Sequence, residues 1–516
     1  MVNENIVLDY YLQLIADDEI EFLVGRESSK TAIIGCINAL KEAETIHQKI
    51  EVAKKLWKLL FEASMSFIDK DKHGYDGLFS YFDEFVDFEE LIFASDSFYR
   101  DHTIHCLWVY FLGEYLYRHE EFSFFFQDMM EDYKRAASII KQFINADLLD
   151  KDGTVAGVVE SLAQQDKCQG AIRCITALAH DLGYPLKKIQ KINKSIATVL
   201  PHFSIENYQE FKFTYSTSQL PFIEKFLEFI SMDFSITLFK SYPRKYTELF
   251  NRLITYDAET KEVIIQKEEM DRLSEDDLEA LQATMSPQIS VLKGLPRYLR
   301  YADDFEQQRH GILSAFLLAK KLWFFRTIPF SYILSERLTL DHVDFHRVNA
   351  GITILSAIAD HTSEGFRISK INTPAALLTI VDELEEFSRI SRANQNRQYI
   401  NQFCKTDLYA QEDWLCIDFI FDNQEIENLN PEIAFIGRCK RFLSLFDIPD
   451  LDDSIKIRLR CIGKLPANNN EYMLEISKNY ANITVNGVEQ NIPIYLKSRH
   501  FYARDEFGGL NPDVRS

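Results

Sequence analysis

The sequence lacks closely spaced cysteine pairs. Its eight cysteines are scattered over 516 residues, and no two of them form a C-x-x-C pair. This spacing excludes a zinc ribbon and a thioredoxin-type redox motif. Isolated thiols in a large chain are typical of a reducing compartment. A P-loop and a G-x-G-x-x-G motif after a strand are also missing, so the common nucleotide-binding loops are excluded.

Long apolar runs are missing as well. No stretch of eighteen apolar residues is free of charge, which argues against a membrane-spanning helix. The first residues, MVNENIVLDYYLQLIADDEIEF, are acidic and have a helical pattern, unlike a secretory signal peptide. We therefore expect a cytoplasmic protein with no membrane partner.

Positive charge is scarce. The chain has 57 Lys and Arg against 79 Asp and Glu, a formal net charge of −22. Phosphate backbones would be repelled by this mean field, so non-specific nucleic-acid binding is not expected. A local basic pocket for a small phosphorylated ligand remains compatible with it. Apolar residues make up 46% of the chain, including 40 Phe and 24 Tyr, enough for a large core.

Periodicity divides the chain into three parts. The apolar spacing in residues 1–84 predicts an N-terminal helical segment. Residues 85–400 are mostly helical, with an insertion at about 205–295 whose polar part, 256–290, predicts a surface hairpin and helix. In 405–500, the runs WLCIDFIF, SIKIRLRCIG, YMLEIS and NITVNGV are strand-like, with the helix PEIAFIGRCKRFLSLF after the first. The predicted fold class is mainly α, with a small C-terminal α/β domain in β-α-β-β order.

The segment DKDKHGYDG begins like a calcium-binding loop. Asp69, Asp71 and Gly74 stand at positions 1, 3 and 6 of such a loop. Position 12 is Ser80, where the loop needs a bidentate Glu. An Asp/Gly-rich turn is therefore the better interpretation.

Single polar residues recur on strongly apolar helices. They lie in YRDHTIHCLWVYFLG, ALAHDLGYP, EQQRHGILSAFLL, ILSAIADHTSE and LLTIVDELEEFSRI, and the residues concerned are His105, His180, Asp181, His310, His361 and Asp382. Each could be a hydrogen-bonded core or helix-end residue, and Asp382 could pair with Arg389, two turns further along one predicted helix. Buried polar groups are costly unless they are paired or bound to metal. Their order and context together favour metal binding.

This order resembles the HD superfamily of metal-dependent phosphohydrolases over about residues 95–395. RDHTIHCLWV resembles the helix with the first ligand, AHDLGYP the signature doublet, and VDELEEFSR the closing Asp helix. RHGILSA and ADHTSE resemble the two extra histidine segments of members with a two-metal site. The gaps of 75 residues from His105 to His180 and 129 residues from Asp181 to His310 imply large insertions.

Six nitrogen and oxygen ligands are too many for one tetrahedral ion but suit two ions that share a carboxylate. Asp181 is the natural bridge, because its neighbour His180 holds one ion. His105 and Asp382 would complete that ion's ligands, and His310 with His361 would hold the second. The expected cofactors are two divalent ions of Mn, Fe, Zn or Ni. Two such ions activate a shared water or hydroxide that attacks phosphorus.

Further residues beside the ligand segments are candidates for catalysis and substrate binding. His102, one turn before His105, is a candidate general acid or phosphate contact, and Asp101 would orient it. Glu306 is a candidate general base, or it could equally be a solvated helix residue. Four basic residues could meet substrate phosphates or be ordinary surface charges: Arg100, Lys187, Arg309 and Arg389.

The resemblance implies hydrolysis of a nucleotide: a deoxynucleoside triphosphate, a cyclic nucleotide or a nucleoside phosphate. By analogy with large HD proteins, the setting would be bacterial regulation or antiviral defence. One alternative is an HD-type di-iron oxygenase of a small substrate. Another is a non-catalytic nucleotide sensor, with the C-terminal domain passing the signal to a partner or mediating homo-oligomer formation.

Overall fold

The computed structural model describes residues 2–93, 98–126, 128–145, 153–205, 207–239, 252–256, 263–326, 345–391, 404–424 and 429–490. Within these residues the protein is mainly helical, with its largest sheet at the C-terminal end. The α-helices are α1 Glu4–Ala16, α2 Glu27–Glu42, α3 Ile46–Ile68, α4 Tyr75–Phe93, α5 His102–Arg118, α6 Glu131–Asn145, α7 Gly153–Lys167, α8 Gln169–Ala179, α9 Tyr184–Val199, α10 Leu220–Ile230, α11 Lys267–Met270, α12 Glu275–Thr284, α13 Leu295–Glu306, α14 His310–Lys321, α15 Phe345–Asp360, α16 Pro374–Leu384 and α17 Pro431–Leu445.

The β-strands are β1 Phe98–Arg100, β2 Met232–Phe239, β3 Ile254–Tyr256, β4 Val263–Ile265, β5 Met285–Lys293, β6 Arg389–Ser391, β7 Lys405–Gln411, β8 Trp414–Phe421, β9 Ile457–Gly463, β10 Glu471–Ser477, β11 Tyr480–Val485 and β12 Val488–Gln490. Most of them belong to the C-terminal sheet. The others form short antiparallel pairs: β1 with β6, β2 with β5 and β3 with β4.

Helices α5 and α8 form the centre of the helical part. Every residue of α8 is buried, and so is α5 from its first residue to Leu116. A helix that is apolar on all sides must be covered on all sides. Between the two helices, Glu114 and Arg173 form a buried ion pair with an Nε–Oε1 distance of 2.6 Å. This central pair positions the first polar segments of the predicted site.

The four N-terminal helices pack directly on this centre. A capping box of Thr45 and Gln48 starts α3, and Trp57 donates a hydrogen bond of 2.8 Å from Nε1 to the carbonyl of Leu178 in α8. The boundary predicted between residues 84 and 85 falls inside α4. The N-terminal helices therefore share one apolar core with the rest of the helical part.

The calcium-like segment forms a turn between α3 and α4. The Asp71 carboxylate accepts a hydrogen bond of 2.9 Å from the His73 backbone N–H, and Asp69 pairs with Arg347 at 3.2 Å. Gly74 has a φ of +103°, and a Cβ there would lie 2.2 Å from the Lys321 carbonyl oxygen. These contacts are those of an Asp/Gly-rich turn.

The insertion contains the hairpin and helix that the polar stretch predicted. Strand β2 leaves the helical body after α10, and β5 returns antiparallel to it. The β3–β4 pair and helices α11 and α12 lie between them in the chain. Strand β5 leads directly into α13, so the insertion connects to the helix that precedes His310.

The C-terminal sheet has the order β12-β11-β10-β9-β8-β7. Strands β8 and β9 are parallel and joined through α17, as the β-α-β pattern predicted, and the other neighbours are antiparallel. The edge strands β7 and β12 were not predicted. In β9, buried residues alternate with half-buried ones, so one face of the strand is covered.

This C-terminal unit is attached to the helical part by backbone and side-chain contacts. Ile368 exchanges backbone hydrogen bonds with Leu445 and Asp447, both 2.9 Å long. Arg438 on α17 pairs with Glu386 at 2.8 Å. Arg441 pairs with Glu383 at 2.5 Å, and its guanidinium also donates to the carbonyl of residue 361 at 3.2 Å. Among the described helices, none is both long enough and apolar enough to cross a bilayer.

Candidate metal centre

Five helix ends converge on one buried cluster of imidazoles and carboxylates. The first turn of α5, the residues after α8, the start of α14, the residue after α15 and the last turn of α16 contribute to it. All six predicted metal ligands lie in this cluster: His105, His180, Asp181, His310, His361 and Asp382. Residues separated by up to 277 positions in the chain are therefore brought within contact distance.

Asp181 is at the centre of the cluster. Its Oδ1 lies 3.1 Å from Nε2 of His310 and 3.8 Å from Nε2 of His361. Its Oδ2 lies 3.3 Å from Nε2 of His180 and 3.7 Å from Nε2 of His105. The two oxygens thus face two different pairs of histidines, which is the arrangement of a bridging carboxylate.

The electrostatic environment keeps Asp181 ionised. Burial alone would raise the pKa of this carboxyl, but the charge of His180, together with the adjacent imidazoles of His310 and His361, brings it well below its usual value. Burial lowers the pKa of His310 to about 4, against the opposing effect of Asp181. An ionised Asp181 and a neutral His310 are the protonation states that metal binding requires. Asp181 raises the pKa of His180 against the opposing effect of burial, so a metal ion would have to displace a proton there.

Two separate groups of three residues can each hold an ion. In the first, His105 Nε2 lies 2.9 Å from Asp382 Oδ1, and His180 Nε2 lies 4.0 Å from the same oxygen. In the second, Asp181 is joined by His310 and His361, whose Nε2 atoms are 3.3 Å apart. Within each group the candidate ligand atoms all lie within 4.8 Å of one another.

The histidines are oriented with Nε2 towards the cluster. His180 places Nδ1 2.7 Å from the carbonyl of Ala177, and His361 places Nδ1 2.6 Å from that of Ile358. Because a carbonyl only accepts, each Nδ1 carries a proton, and Nε2 is the nitrogen that remains to bind a metal ion. The Nε2 atom of His180 is buried and has no hydrogen-bond partner among the described residues. A metal ion would satisfy that atom.

Glu385 fixes the orientation of His105. Its Oε2 lies 2.5 Å from Nδ1 of His105. The same carboxylate accepts hydrogen bonds from the backbone N–H of Ser388 at 2.7 Å and from its hydroxyl at 2.6 Å. Glu385 was not predicted from the sequence, because its role depends on a contact with His105, which lies 280 positions away in the chain.

Replacing Glu385 by Gln is expected to weaken metal binding by roughly 10–100-fold, the usual effect of losing a carboxylate that orients a metal-bound histidine. The measurement is a competition titration with a metal chelator on the purified chain. Glu306→Gln is the matched control, because Glu306 ends α13 with an exposed side chain. Equal affinities in the two variants would contradict the role given to Glu385.

His102 is held beside the ligands by a second buried carboxylate. Its Nδ1 lies 2.6 Å from Oε2 of Glu89, which is completely buried, and its Nε2 lies 3.9 Å from Oδ2 of Asp181. The ring of Tyr184 packs on the imidazole with 3.8 Å between the centroids. Glu89 was not predicted from the sequence. The contact joins different helices, and no local spacing indicates it.

Asp101 does not orient His102 as predicted. Its Oδ1 accepts hydrogen bonds of 3.0 Å from the backbone N–H groups of Thr103 and Ile104, so it caps the start of α5. Burial, together with the charge of Glu89, raises the pKa of Asp101 to about 6. The orienting carboxylate is the one on α4.

Two glycines allow the ligand segments to approach each other. A Cβ on Gly183 would lie 2.5 Å from the carbonyl oxygen of His310, and a Cβ on Gly311 would lie 2.6 Å from that of Ile358. Both distances are too short for any larger residue without backbone movement. The glycine that follows the His-Asp doublet is therefore required for the contact between the doublet and α14.

The predicted substrate-binding residues differ in their positions. Lys187 is on α9, where burial of its ammonium lowers its pKa against the opposing charges of Asp181 and Asp382. Arg309 pairs with Glu364. The backbones of Arg100 and Arg389 are opposite each other in the β1–β6 pair, and their side chains lie outside the described residues. The prediction that Arg389 continues the Asp382 helix was wrong, because α16 ends at Leu384.

Cys106 is an additional neighbour of the cluster. Its sulfur lies 3.8 Å from Nδ1 of His180, and it forms a third group with His180 and Asp181 that could hold a metal. Burial raises the pKa of this thiol, which disfavours the thiolate that metal binding needs. The His180 nitrogen nearest to it is also the one that meets the Ala177 carbonyl. The two His/Asp groups are therefore the better candidates.

Comparison with known proteins gives no match: no family model, no curated protein and no solved structure resembles the chain significantly. The protein is thus a mainly helical chain with a small C-terminal sheet unit and a buried His/Asp cluster that could bind metal. That combination is compatible with an HD-type site.

Proposed function

We propose that the protein is a metal-dependent phosphohydrolase of the HD type that acts on a nucleotide. The observation that carries the proposal is the position of Asp181, whose two oxygens face separate histidine pairs. A carboxylate between two ligand groups is the feature that distinguishes a two-metal site from a single structural ion.

The residues fit two divalent transition-metal ions. The six ligands supply imidazole nitrogen and carboxylate oxygen, a set that suits Mn, Fe, Zn or Ni better than Ca. The buried Nε2 of His180 would gain a partner. Two bound dications would lower the pKa of a water molecule and neutralise charge on the phosphoryl group.

His102 is suited to donate the proton that the leaving oxygen needs. Its Nε2 is directed towards Asp181, while its Nδ1 contacts the buried carboxylate of Glu89. The Glu89 carboxylate holds the imidazole in place beside the candidate ligands. The ring of Tyr184 on one side limits rotation of the imidazole. The dyad of His102 and Glu89 thus performs acid catalysis beside the ions.

The test begins with the full chain purified from cultures supplemented with Mn, Fe, Zn or Ni. Metal content is measured by mass spectrometry, and a nucleotide screen is followed by chromatography of the products. We expect about two ions per chain, as in two-metal sites, and release of orthophosphate, pyrophosphate or triphosphate.

Three results would overturn the proposal. A chain loaded with two metals that releases no product from any nucleotide is not a phosphohydrolase. Two irons with oxygen consumption would assign the di-iron oxygenase chemistry instead. Tight nucleotide binding without turnover over hours would assign a sensor.

A further inference from the structure

The two ligand groups are oriented by different kinds of contact. In the first group, the carboxylate of Glu385, which follows α16, lies 2.5 Å from Nδ1 of His105 on another helix. In the second group, the described partner of Nδ1 of His361 is the carbonyl of Ile358, three residues earlier in the same segment. That contact fixes the imidazole relative to the end of α15. It does not fix the end of α15 relative to Asp181.

Arg300 on α13 supplies a contact to the end of α15. Its Nη2 lies 2.6 Å from Oδ1 of Asp360, which is the last residue of α15 and the neighbour of His361. Asp360 is 5% exposed, and the side chain of Arg300 is 25% exposed. Separating a pair with so little contact with water leaves an uncompensated charge inside the protein. The pair therefore holds α13 and the end of α15 together.

The residues that follow α15 contact two neighbouring segments. The Thr362 hydroxyl accepts a hydrogen bond of 3.2 Å from the backbone N–H of Gly311 at the start of α14. A Cβ on Gly365 would lie 2.7 Å from Cδ of Arg300, so the aliphatic part of this arginine packs on the backbone there. Residues 360–365 are thus held by α13 through Arg300 and by the first turn of α14.

The described contacts that orient the first ligand group come from other elements. Nδ1 of His105 meets Glu385, whose carboxylate also accepts hydrogen bonds from Ser388. Nδ1 of His180 meets the carbonyl of Ala177 in α8. A change at Arg300 therefore reaches the second ligand group directly, whereas the contacts of the first group stay in place.

We propose that Arg300 is a positioning residue of the second ligand group: it holds Asp360 so that His361 reaches the ion of that group. This inference rests on the two-ion centre of the proposed function. Arg300 acts through Asp360 and touches neither the substrate nor an ion. The affinity for the second ion depends on Arg300, and the affinity for the first ion does not.

The alternative role of Arg300 is general stabilisation of the helical part. In that case its removal would weaken the binding of both ions alike, in proportion to the loss of stability. In the positioning role, the loss is confined to one of the two ions. Separate affinities for the two ions therefore distinguish the roles, and activity is not needed for the measurement.

The experiment is a titration of the metal-free full chain with Zn²⁺ in competition with a chelator, which gives one affinity for each ion. The test variant is Arg300→Gln. His361→Ala identifies the second ion, because it removes a ligand of that group. Glu385→Gln identifies the first ion, because Glu385 orients His105.

Arg458→Gln is the matched control. Arg458 pairs with Glu475 at 2.8 Å on the C-terminal sheet, and its side chain is 25% exposed, as is that of Arg300. Its replacement removes an equivalent ion pair away from the cluster, so both affinities should stay unchanged. Thermal unfolding of the metal-free variants compares the stability that each replacement costs.

We expect Arg300→Gln to weaken the second ion by roughly tenfold, the lower end of the effect of losing a group that orients a metal ligand. The first ion should be unaffected, and Glu385→Gln should show the opposite pattern. Arg300→Lys should recover part of the lost affinity, because it keeps a charge opposite Asp360 without the planar guanidinium. Gly365→Ala keeps both charges but displaces the stem of Arg300, so it should also weaken the second ion.

Equal weakening of both ions in Arg300→Gln, or of neither, would overturn the positioning role. A wild-type chain that binds one ion, or loss of the second ion in Arg458→Gln, would overturn it too. Weakening of the second ion alone in a chain that hydrolyses no nucleotide would support the positioning role and refute the proposed function. Hydrolysis by a chain whose second ion is indifferent to Arg300 would do the reverse.

Discussion

Replacement of Asp181 by Ala is expected to remove both metal binding and activity. The carboxylate lies 3.1 Å from a histidine of one ligand group and 3.3 Å from a histidine of the other. Without it, two dications would face each other with no anion between them. Their Coulomb repulsion at a separation of about 4 Å would be on the order of 16 kcal/mol at an effective dielectric constant of about 20. Metal content after gel filtration and nucleotide turnover are the two measurements.

Asp303→Ala is the control for Asp181→Ala. Asp303 is an exposed carboxylate on α13, so its removal should change neither metal content nor turnover. An Asp181→Ala chain that keeps two ions and full activity would refute the bridging role. Thermal unfolding of the variant shows whether loss of metal follows from misfolding.

Replacement of His102 by Gln should separate catalysis from metal binding. We expect unchanged metal content, little change in KM and a reduction of kcat by roughly 10²–10⁴-fold, the contribution of a positioned general acid. Glu89→Gln should show the same change in weaker form, since Glu89 acts through the imidazole that it contacts at 2.6 Å.

The Nε2 atom of His102 lies 3.9 Å from Asp181, so its assignment as an acid has a clear competitor. Loss of one ion in the His102→Gln chain would make this residue a ligand and leave the acid unassigned. His119→Gln serves as the control, because His119 follows the last residue of the same helix and packs on Tyr115, away from the cluster. Its turnover should equal that of the wild-type chain.

The six residues of the cluster could be selected from the sequence as candidate ligands because each lies in a short, recognisable segment. A single His or Asp on an apolar helix has a local signal, and the order of the segments supplies the rest. Glu89 and Glu385 gave no such signal, since their roles depend on contacts across 13 and 280 residues. Side chains that orient a ligand become visible only once the helices are packed.

The prediction that the helix of Asp382 continues to Arg389 was wrong for a local physical reason. The run VDELEEFSRI has no Gly or Pro, so periodicity extends the helix beyond Leu384. In the structure Glu385 is extended, with φ −72° and ψ 114°. Its carboxylate binds Ser388 and His105, contacts that replace another helical turn. Tertiary hydrogen bonding thus overrides helix propensity at this end of α16.

In the C-terminal unit too, some elements could be predicted from the sequence and others could not. Its β-α-β core was predictable because β8 and β9 are strongly apolar or alternating. Strand β7 contains Lys405, Asp407 and Gln411, and its assignment depends on pairing with β8. Strand β12 is three residues long and pairs only at the edge of the sheet. Short, polar edge strands give little sequence signal.

The contact of Arg441 with Glu383 and with the backbone carbonyl of residue 361 has a mechanical consequence. One guanidinium joins the residue next to Asp382 to the last residue of the second ligand group. Glu386 and Arg438 form a buried ion pair nearby, and removing either partner would destabilise the protein by about 3–5 kcal/mol. A shift of α17 by the rise of one residue, about 1.5 Å, would displace Glu383 and the carbonyl of residue 361. Both candidate ligand groups would be affected together. The C-terminal unit is therefore connected through one arginine to both candidate ligand groups.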